Sequence, residues 1–155
     1  MINIYGELCS CKNTDDSIFS FLGSEKLEEL CSYFQCKSVL KDEVLWEEGD
    51  PCDFAAFIVS GRVEVMKQTE FKGKHVVVGI YGRGAVVGAL CILDGGNRAV
   101  TAKALEDASL TTISKENFEK LLDEKPELGA QLMKGMLLSF SSRLRKSFER
   151  LATFF

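Results

Sequence analysis

Short β-branched and aromatic runs alternate with glycine turns from about Lys37 to Ile113, and this alternation constrains the fold more than any other feature of the chain. The runs are Val44-Leu45-Trp46, Phe54 to Val59, Val63-Glu64-Val65, His75 to Ile80, Val100 to Ala104 and Leu110 to Ile113. Gly49-Asp50-Pro51, Ser60-Gly61, Lys72-Gly73-Lys74 and Gly82-Arg83-Gly84 separate the first of them. Many short strands with closely spaced turn signals predict a sandwich or barrel. A chain of 155 residues suits one domain with a core of its own, without help from disulfides or a structural metal.

Helical patterns flank the strands. Ile18, Phe19, Phe21 and Leu22 form one apolar set. After Gly23, Ser24 is placed to cap a helix beginning near Glu25, whose Leu27, Leu30, Cys31 and Phe34 share a face. Beyond the strands, Ser114 caps a helix with Asn117 at its N3 position and Phe118, Leu121 and Leu122 on its apolar side. Pro126 fits the first position of a further helix. That helix extends almost to Phe155, a length of roughly 45 Å at 1.5 Å per residue.

Read as heptads, the last helix puts Ala130, Leu137, Leu144 and Leu151 at one core position and Met133, Phe140, Ser147 and Phe154 at the other. The pattern predicts a coiled-coil seam, hence a homodimer whose interface includes Leu137, Phe140, Leu144 and Leu151. The first half of the helix is expected on its own domain. The organisation is then a loose N-terminus over residues 1–14, a β-roll with flanking helices over 15–125 and a dimerisation helix over 126–155. Lys134, Arg143, Arg145, Lys146 and Arg150 stand against Glu149 on this helix. Such a cluster either contacts phosphates or is a solvated face.

The stretch Gly88 to Ala102 carries the chemistry. A strand ends at Gly88, a short helical turn opens, Gly95-Gly96 forms a loop, and Arg98 follows. Backbone N–H groups at a helix start and a forked guanidinium both suit an anion. Alone, the glycines also suit a ligand-free hairpin turn.

Taken together, these segments resemble the cyclic-nucleotide-binding domain family, which includes the catabolite activator protein and the regulatory subunits of cyclic-AMP-dependent kinase. Asp16 to Leu22 with Leu27-Glu28-Glu29-Leu30 resembles the leading helices. Glu48-Gly49-Asp50-Pro51 resembles the first glycine turn, Phe57 to Val65 the most recognisable hairpin, and Gly88 to Thr101 the phosphate-binding cassette. The resemblance implies an α+β, mainly β fold: an eight-stranded jelly roll, or double-stranded β-helix, with N-terminal helices and a long C-terminal helix. It also implies a cyclic nucleotide, cyclic AMP or cyclic GMP, held inside the roll, and signalling to a downstream protein partner that the sequence does not identify. Gly88, Ala89, Leu90, Cys91, Arg98, Ala99 and Val100 would form the ligand site, with Arg98 on the cyclic phosphate and amides near Ala89, Leu90 and Ala99 around it. Ser147 is a candidate contact to the base.

Two positions depart from the family pattern. The family's glutamate for the ribose 2′-hydroxyl is Ala89 here, a change that removes a charge-assisted hydrogen bond worth roughly 1.5–3 kcal/mol, or one to two decades in affinity. The family's proline before the arginine is Asn97, which also suits a turn. Arg98 therefore has two readings: a ligand for a cyclic phosphate or another small anion, or a remnant paired with a nearby acid such as Asp94 or Glu64. Accordingly the chain is read as a ligand-binding sensor or as a ligand-free interaction module that kept the fold.

Other classes receive less support from the residues. No apolar run approaches the roughly 20 residues of a membrane span, and Met1 to Ser10 lacks the pattern of a signal peptide, so a cytoplasmic location is expected. In that setting Cys9, Cys11, Cys31, Cys36, Cys52 and Cys91 are expected as reduced thiols. An iron–sulfur sensor using Cys9, Cys11, Cys31 and Cys36 is the redox alternative, although the spacing does not match such sensors. His75 is the only histidine and no nucleophile signature surrounds any serine, so no enzyme, no catalytic residue and no metal ligand are assigned. No helix-turn-helix follows the long helix, so no DNA-binding domain is expected.

Overall fold

The computed structural model describes residues 24–155. The helical pattern over Ile18 to Leu22, and Cys9 and Cys11, lie outside the described residues. The first described helix, α1, is Ser24–Cys31. Eight strands follow: β1 (Gln35–Val39), β2 (Val44–Trp46), β3 (Phe54–Ser60), β4 (Val63–Gln68), β5 (His75–Tyr81), β6 (Val86–Val87), β7 (Thr101–Ala104) and β8 (Ala108–Ser114). A five-residue helix, α2 (Leu90–Asp94), separates β6 from β7, and α3 (Lys115–Glu124) and α4 (Pro126–Ala152) close the chain.

The strands form two four-stranded antiparallel sheets, in the orders β1-β8-β3-β6 and β2-β7-β4-β5. This is the eight-stranded jelly roll that the resemblance implies, with the long C-terminal helix in place. The strand β3 shows why two cores form. Its side chains alternate between faces, as in any strand. Ala55 and Phe57 point into a layer with Leu27, Leu30, Phe118, Leu121 and Leu132 of the helices. Ala56 and Ile58 point between the sheets, beside Val63, Val65, Ala102, Ala104 and Leu110. A strand buried on both faces reads as a continuous apolar run, and Phe54 to Val59 is one.

Turn chemistry places the strands as predicted. Gly61 joins β3 to β4 at φ +82°, and a Cβ there would lie 2.5 Å from the Asp107 carbonyl oxygen. Only glycine suits that backbone and that approach. Ser114 accepts a hydrogen bond from the Asn117 N–H at 3.0 Å, so α3 begins on the predicted cap, and Pro126 opens α4. Ser114→Ala is expected to lower stability by about 1 kcal/mol, or about 3 °C in thermal midpoint, measured by circular dichroism.

Candidate functional site

Each of the seven expected ligand-site residues lines one cavity. It has a volume of about 240 Å³ and is bounded by Gly88, Ala89, Leu90, Cys91, Arg98, Ala99 and Val100, joined by Trp46, Val65, Val78, Tyr81, Val87, Phe140 and Arg143. The walls come from different directions in the chain. β2 brings Trp46, β5 brings Tyr81, the loop after β6 brings Gly88, and α4 reaches over with Phe140 and Arg143. Gly88 stands at φ +73°, where the chain leaves β6 and turns into α2.

Arg98 is the centre of the site and is only 3% exposed. Its Nη2 donates to the Phe54 carbonyl at 2.7 Å, and its Nη1 to the Gly88 carbonyl at 3.2 Å and to Cys91 Sγ at 3.4 Å. The guanidinium stacks 3.8 Å from the Trp46 ring centroid and 4.8 Å from that of Phe54. Trp46 is fixed in turn, because its Nε1 donates to the Val100 carbonyl at 3.0 Å. The acid beside Arg98 is Asp53, at 3.5 Å, and not Asp94 or Glu64. Asp94 turns onto the Gly96 N–H, and Glu64 pairs with Lys103. Sequence distance misled here, because the turn before β3 folds Asp53 onto a residue 45 positions away, and no local pattern records that approach.

This arrangement leaves charge and a donor to be satisfied. Burial pushes the Arg98 pKa below its ordinary value, while Asp53 and then Asp50 favour the charged form. Asp53 has a side chain 79% exposed, so water screens its compensation. The Arg98 Nε is buried and, among the described residues, has no hydrogen-bond partner. A buried guanidinium with an unmatched N–H favours an anion.

At the rim, Lys67 Nζ donates to the Ala99 carbonyl at 3.0 Å and pairs with Glu48. The Lys67 hydrogen bond, aided by the Gln68 N–H, holds the Glu48 carboxyl below its usual range despite its partial desolvation. This strap ties the turn after β2 to the segment after Arg98.

Ala89 is 1% exposed and belongs to the helix-side core. It presents a methyl group where the family pattern has a carboxylate. Leu90 is largely exposed at the rim, and Ala99 is exposed with its carbonyl turned to Lys67.

The cysteine expectation needs correction. Cys52 and Cys91, expected as reduced thiols, are joined in a disulfide. The turn after β2 packs on α2 and brings together residues 39 positions apart. Spacing alone cannot reveal such a pair, because a disulfide requires Cα atoms within about 7 Å and that distance is set by the tertiary fold. Cys31, by contrast, donates its S–H to the Leu27 carbonyl. Among the described residues, no group of three or more His, Cys, Asp or Glu side chains is gathered as a metal site.

On α4 one of the expected interface residues, Phe140, is placed apart from the other three. Leu137, Leu144 and Leu151 are exposed on one side, together with Phe148. Phe140 instead packs against the helix-side core and lines the cavity. Ser147 lies outside this cavity, in a groove between α4 and β5. Sequence reasoning missed Trp46, Tyr81 and Arg143. Arg143 stacks 4.0 Å from Tyr81 and 5.6 Å from Phe140, and its Nη2 donates to the Val86 carbonyl. In the sequence it is one cation among several, and only its seven- and three-residue offsets from Met136 and Phe140 hint that it faces the body. Among the described residues, no helix is long and apolar enough to cross a membrane.

Residues 36–125 match the family model of the cyclic nucleotide-binding domain. The cyclic AMP receptor protein of Thermus thermophilus is 27% identical over 109 residues, covering 70% of this chain and 50% of that protein. The chain therefore spans about half the length of that relative. Lysophospholipase nte1 of Aspergillus oryzae is 32% identical over 93 residues, covering 59% of this chain but 6% of that enzyme. Among solved structures, a cyclic nucleotide-binding domain from Methylobacillus flagellatus KT superposes with a TM-score of 0.86 at 28% identity, covering 97% of this chain and 84% of that one. The cAMP-bound PfPKA-R superposes with a TM-score of 0.67 at 27% identity, covering 80% of this chain and 44% of that one.

Proposed function

The chain belongs to the cyclic nucleotide-binding domain family, and from that premise we propose that it is a non-enzymatic sensor that binds a cyclic nucleotide, or a related small phosphate ligand, against Arg98. The observation that carries this reading is the buried Arg98 Nε, a donor without a partner in the wall of the cavity. A cyclic phosphate supplies the missing acceptor and the second negative charge. Gly88 leaves room for Arg98 and Trp46 to pack against the turn, and cyclic AMP or cyclic GMP is the ligand class that the PfPKA-R and receptor-protein likenesses favour.

Transmission follows from the shared wall. Phe140 and Arg143 of α4 line the cavity, and Leu144, Phe148 and Leu151 continue the same helix outward. A ligand that prefers one placement of Phe140 and Arg143 biases the helix by its differential affinity. The exposed stripe on α4 fits a second copy of the chain, so the signal passes to a homodimer and its downstream partner.

Ala89 favours the second reading, a ligand-free interaction module. The expected results separate the two. Calorimetric titration of the full chain with cyclic AMP and cyclic GMP gives saturable heat, and Arg98→Lys, which keeps the charge but loses the fork, weakens binding about tenfold to a hundredfold. Absence of heat at millimolar nucleotide, with the wild type folded, establishes the ligand-free module instead for those nucleotides.

A further inference from the structure

The Cys52–Cys91 disulfide has no part in the binding reading above, yet it stands against the same guanidinium. Cys91 Sγ lies 3.4 Å from Arg98 Nη1 and 3.3 Å from the Gly88 carbonyl oxygen. One turn, residues 49–53, holds the cassette at both ends. At the Arg98 end, the Gly49 N–H donates to the Arg98 carbonyl at 2.8 Å and the Arg98 N–H donates to the Asp50 carbonyl at 2.9 Å. At the other end, Cys52 is bonded to Cys91 of α2. Neither hydrogen bond involves sulfur, so opening the disulfide frees α2 while the turn keeps its hold on Arg98.

The two sulfurs are not equivalent. Cys52 is half-buried between exposed Pro51 and Asp53, whereas Cys91 is 8% exposed. An incoming thiolate therefore reaches Cys52, and Cys91 is the leaving group. The guanidinium beside Cys91 stabilises a departing thiolate, and a thiol of lowered pKa leaves faster. The other charged groups near this pair are Asp53 and Asp50, both of which favour the charged form of Arg98. Asp94, farther along α2, is turned onto the Gly96 N–H. In the cytoplasmic setting expected for this chain, disulfides open and close rather than persist.

We infer that Cys52 and Cys91 form a thiol–disulfide exchange site, opened by a dithiol reductant, that sets the charge facing Arg98. A thiolate of the reductant attacks Cys52 Sγ, the Cys52–Cys91 bond breaks, and Cys91 departs as a thiolate against Arg98. The reductant's second thiol then attacks its own sulfur in the mixed disulfide. That closes a disulfide within the reductant, which has given up two electrons, and frees Cys52. Of the reductant's two protons, one ends on Cys52 and the other passes to solvent. The oxidised pair is neutral and leaves the charge of Arg98 to an external anion. The reduced pair puts an internal anion there. The effect on ligands rests on the cassette reading above; the exchange chemistry does not.

The test uses the full chain, oxidised or reduced with dithiothreitol at pH 8, with alkylation and peptide mapping to identify the bridged pair. Arg98→Gln, shown to be folded by circular dichroism, is expected to slow the reduction about tenfold, while Arg98→Lys, which keeps the cation, stays within about threefold of the wild type. Cyclic AMP is expected to bind about tenfold more weakly to the reduced chain, and reoxidation restores the affinity. Cys52→Ala keeps the Cys91 thiol and is expected to bind like the reduced chain. Cys91→Ala cannot form the thiolate and is expected to bind like the oxidised chain. These two variants carry the test where Arg98→Gln does not fold. A bridge between other cysteines, or equal reduction rates for the wild type and folded Arg98→Gln, overturns the exchange site. Cys91→Ala as weak as Cys52→Ala means that the tether acts without the charge, and also overturns the inference. If cyclic AMP binds in neither state while Arg98→Gln slows the reduction, the cassette reading falls and the exchange site stands.

Discussion

Gly88→Ala is expected to cost about 3 kcal/mol of stability, to lower the thermal midpoint by about 10 °C, and to remove nucleotide binding. Two effects add at this residue. At φ +73° an alanine adopts a left-handed backbone, which costs roughly 1–2 kcal/mol. Its Cβ would also stand 2.4 Å from Arg98 Nη1 and 2.7 Å from the Trp46 ring. Arg98 cannot retreat, because the Phe54 carbonyl holds its Nη2 and Trp46 and Phe54 cover its faces. The displaced group must be the guanidinium or the indole, and either movement breaks the cassette. Gly73→Ala separates backbone strain from contact. It has φ +80° with nothing within 4 Å of the added Cβ, so it carries the conformational cost alone, about 1 kcal/mol. Thermal unfolding of both variants decides the matter. Equal losses would mean that Arg98 and Trp46 yield freely, and the cassette would then be softer than its contacts imply.

The residues themselves show how much of this was legible. A sandwich or barrel is readable because its strands are short apolar runs cut by glycines, and the family resemblance narrows it to the jelly roll. β1 is harder, since Gln35, Lys37 and Ser38 are exposed and only Val39 is buried, so no alternation marks it. β6 is only two residues long. The expected ligand-site residues fall in two short runs of one stretch, Gly88 to Cys91 and Arg98 to Val100, and line one cavity. The rest of the site is not contiguous. Trp46, Tyr81 and Arg143 arrive from three elements, and Cys52 meets Cys91 only after the turn before β3 settles on α2. Helix phase was the subtler error. A heptad reading pairs Leu144 with Phe140, but a helix held on one side by its own domain gives that side to the core. Phe140 turns inward, and Phe148 takes the outward place beside Leu144.

That corrected phase leads to the last expectation: Leu144→Asp is expected to convert a dimer into a monomer, raising the dissociation constant by roughly a thousandfold or more. Leu137, Leu144, Phe148 and Leu151 are 69%, 55%, 58% and 57% exposed. They recur at three-, four- and seven-residue offsets, which is one stripe on α4. A stripe of large apolar side chains on one helix costs free energy in water unless another surface covers it. A parallel copy of the same helix presents the matching stripe, and two-fold symmetry makes each substitution count twice. Burying one leucine is worth roughly 1.5–3 kcal/mol, so losing two from the interface, and placing two carboxylates against each other there, exceeds about 4 kcal/mol. Phe148→Asp is expected to act in the same direction, because Phe148 rather than Phe140 is exposed beside Leu144. Phe71→Asp is the control: Phe71 is 71% exposed but belongs to the turn between β4 and β5 and not to α4. Sedimentation equilibrium across the micromolar range reads all four proteins. A wild type that sediments as a monomer sinks the seam, and a dimer that survives both Leu144→Asp and Phe148→Asp moves the interface to another surface.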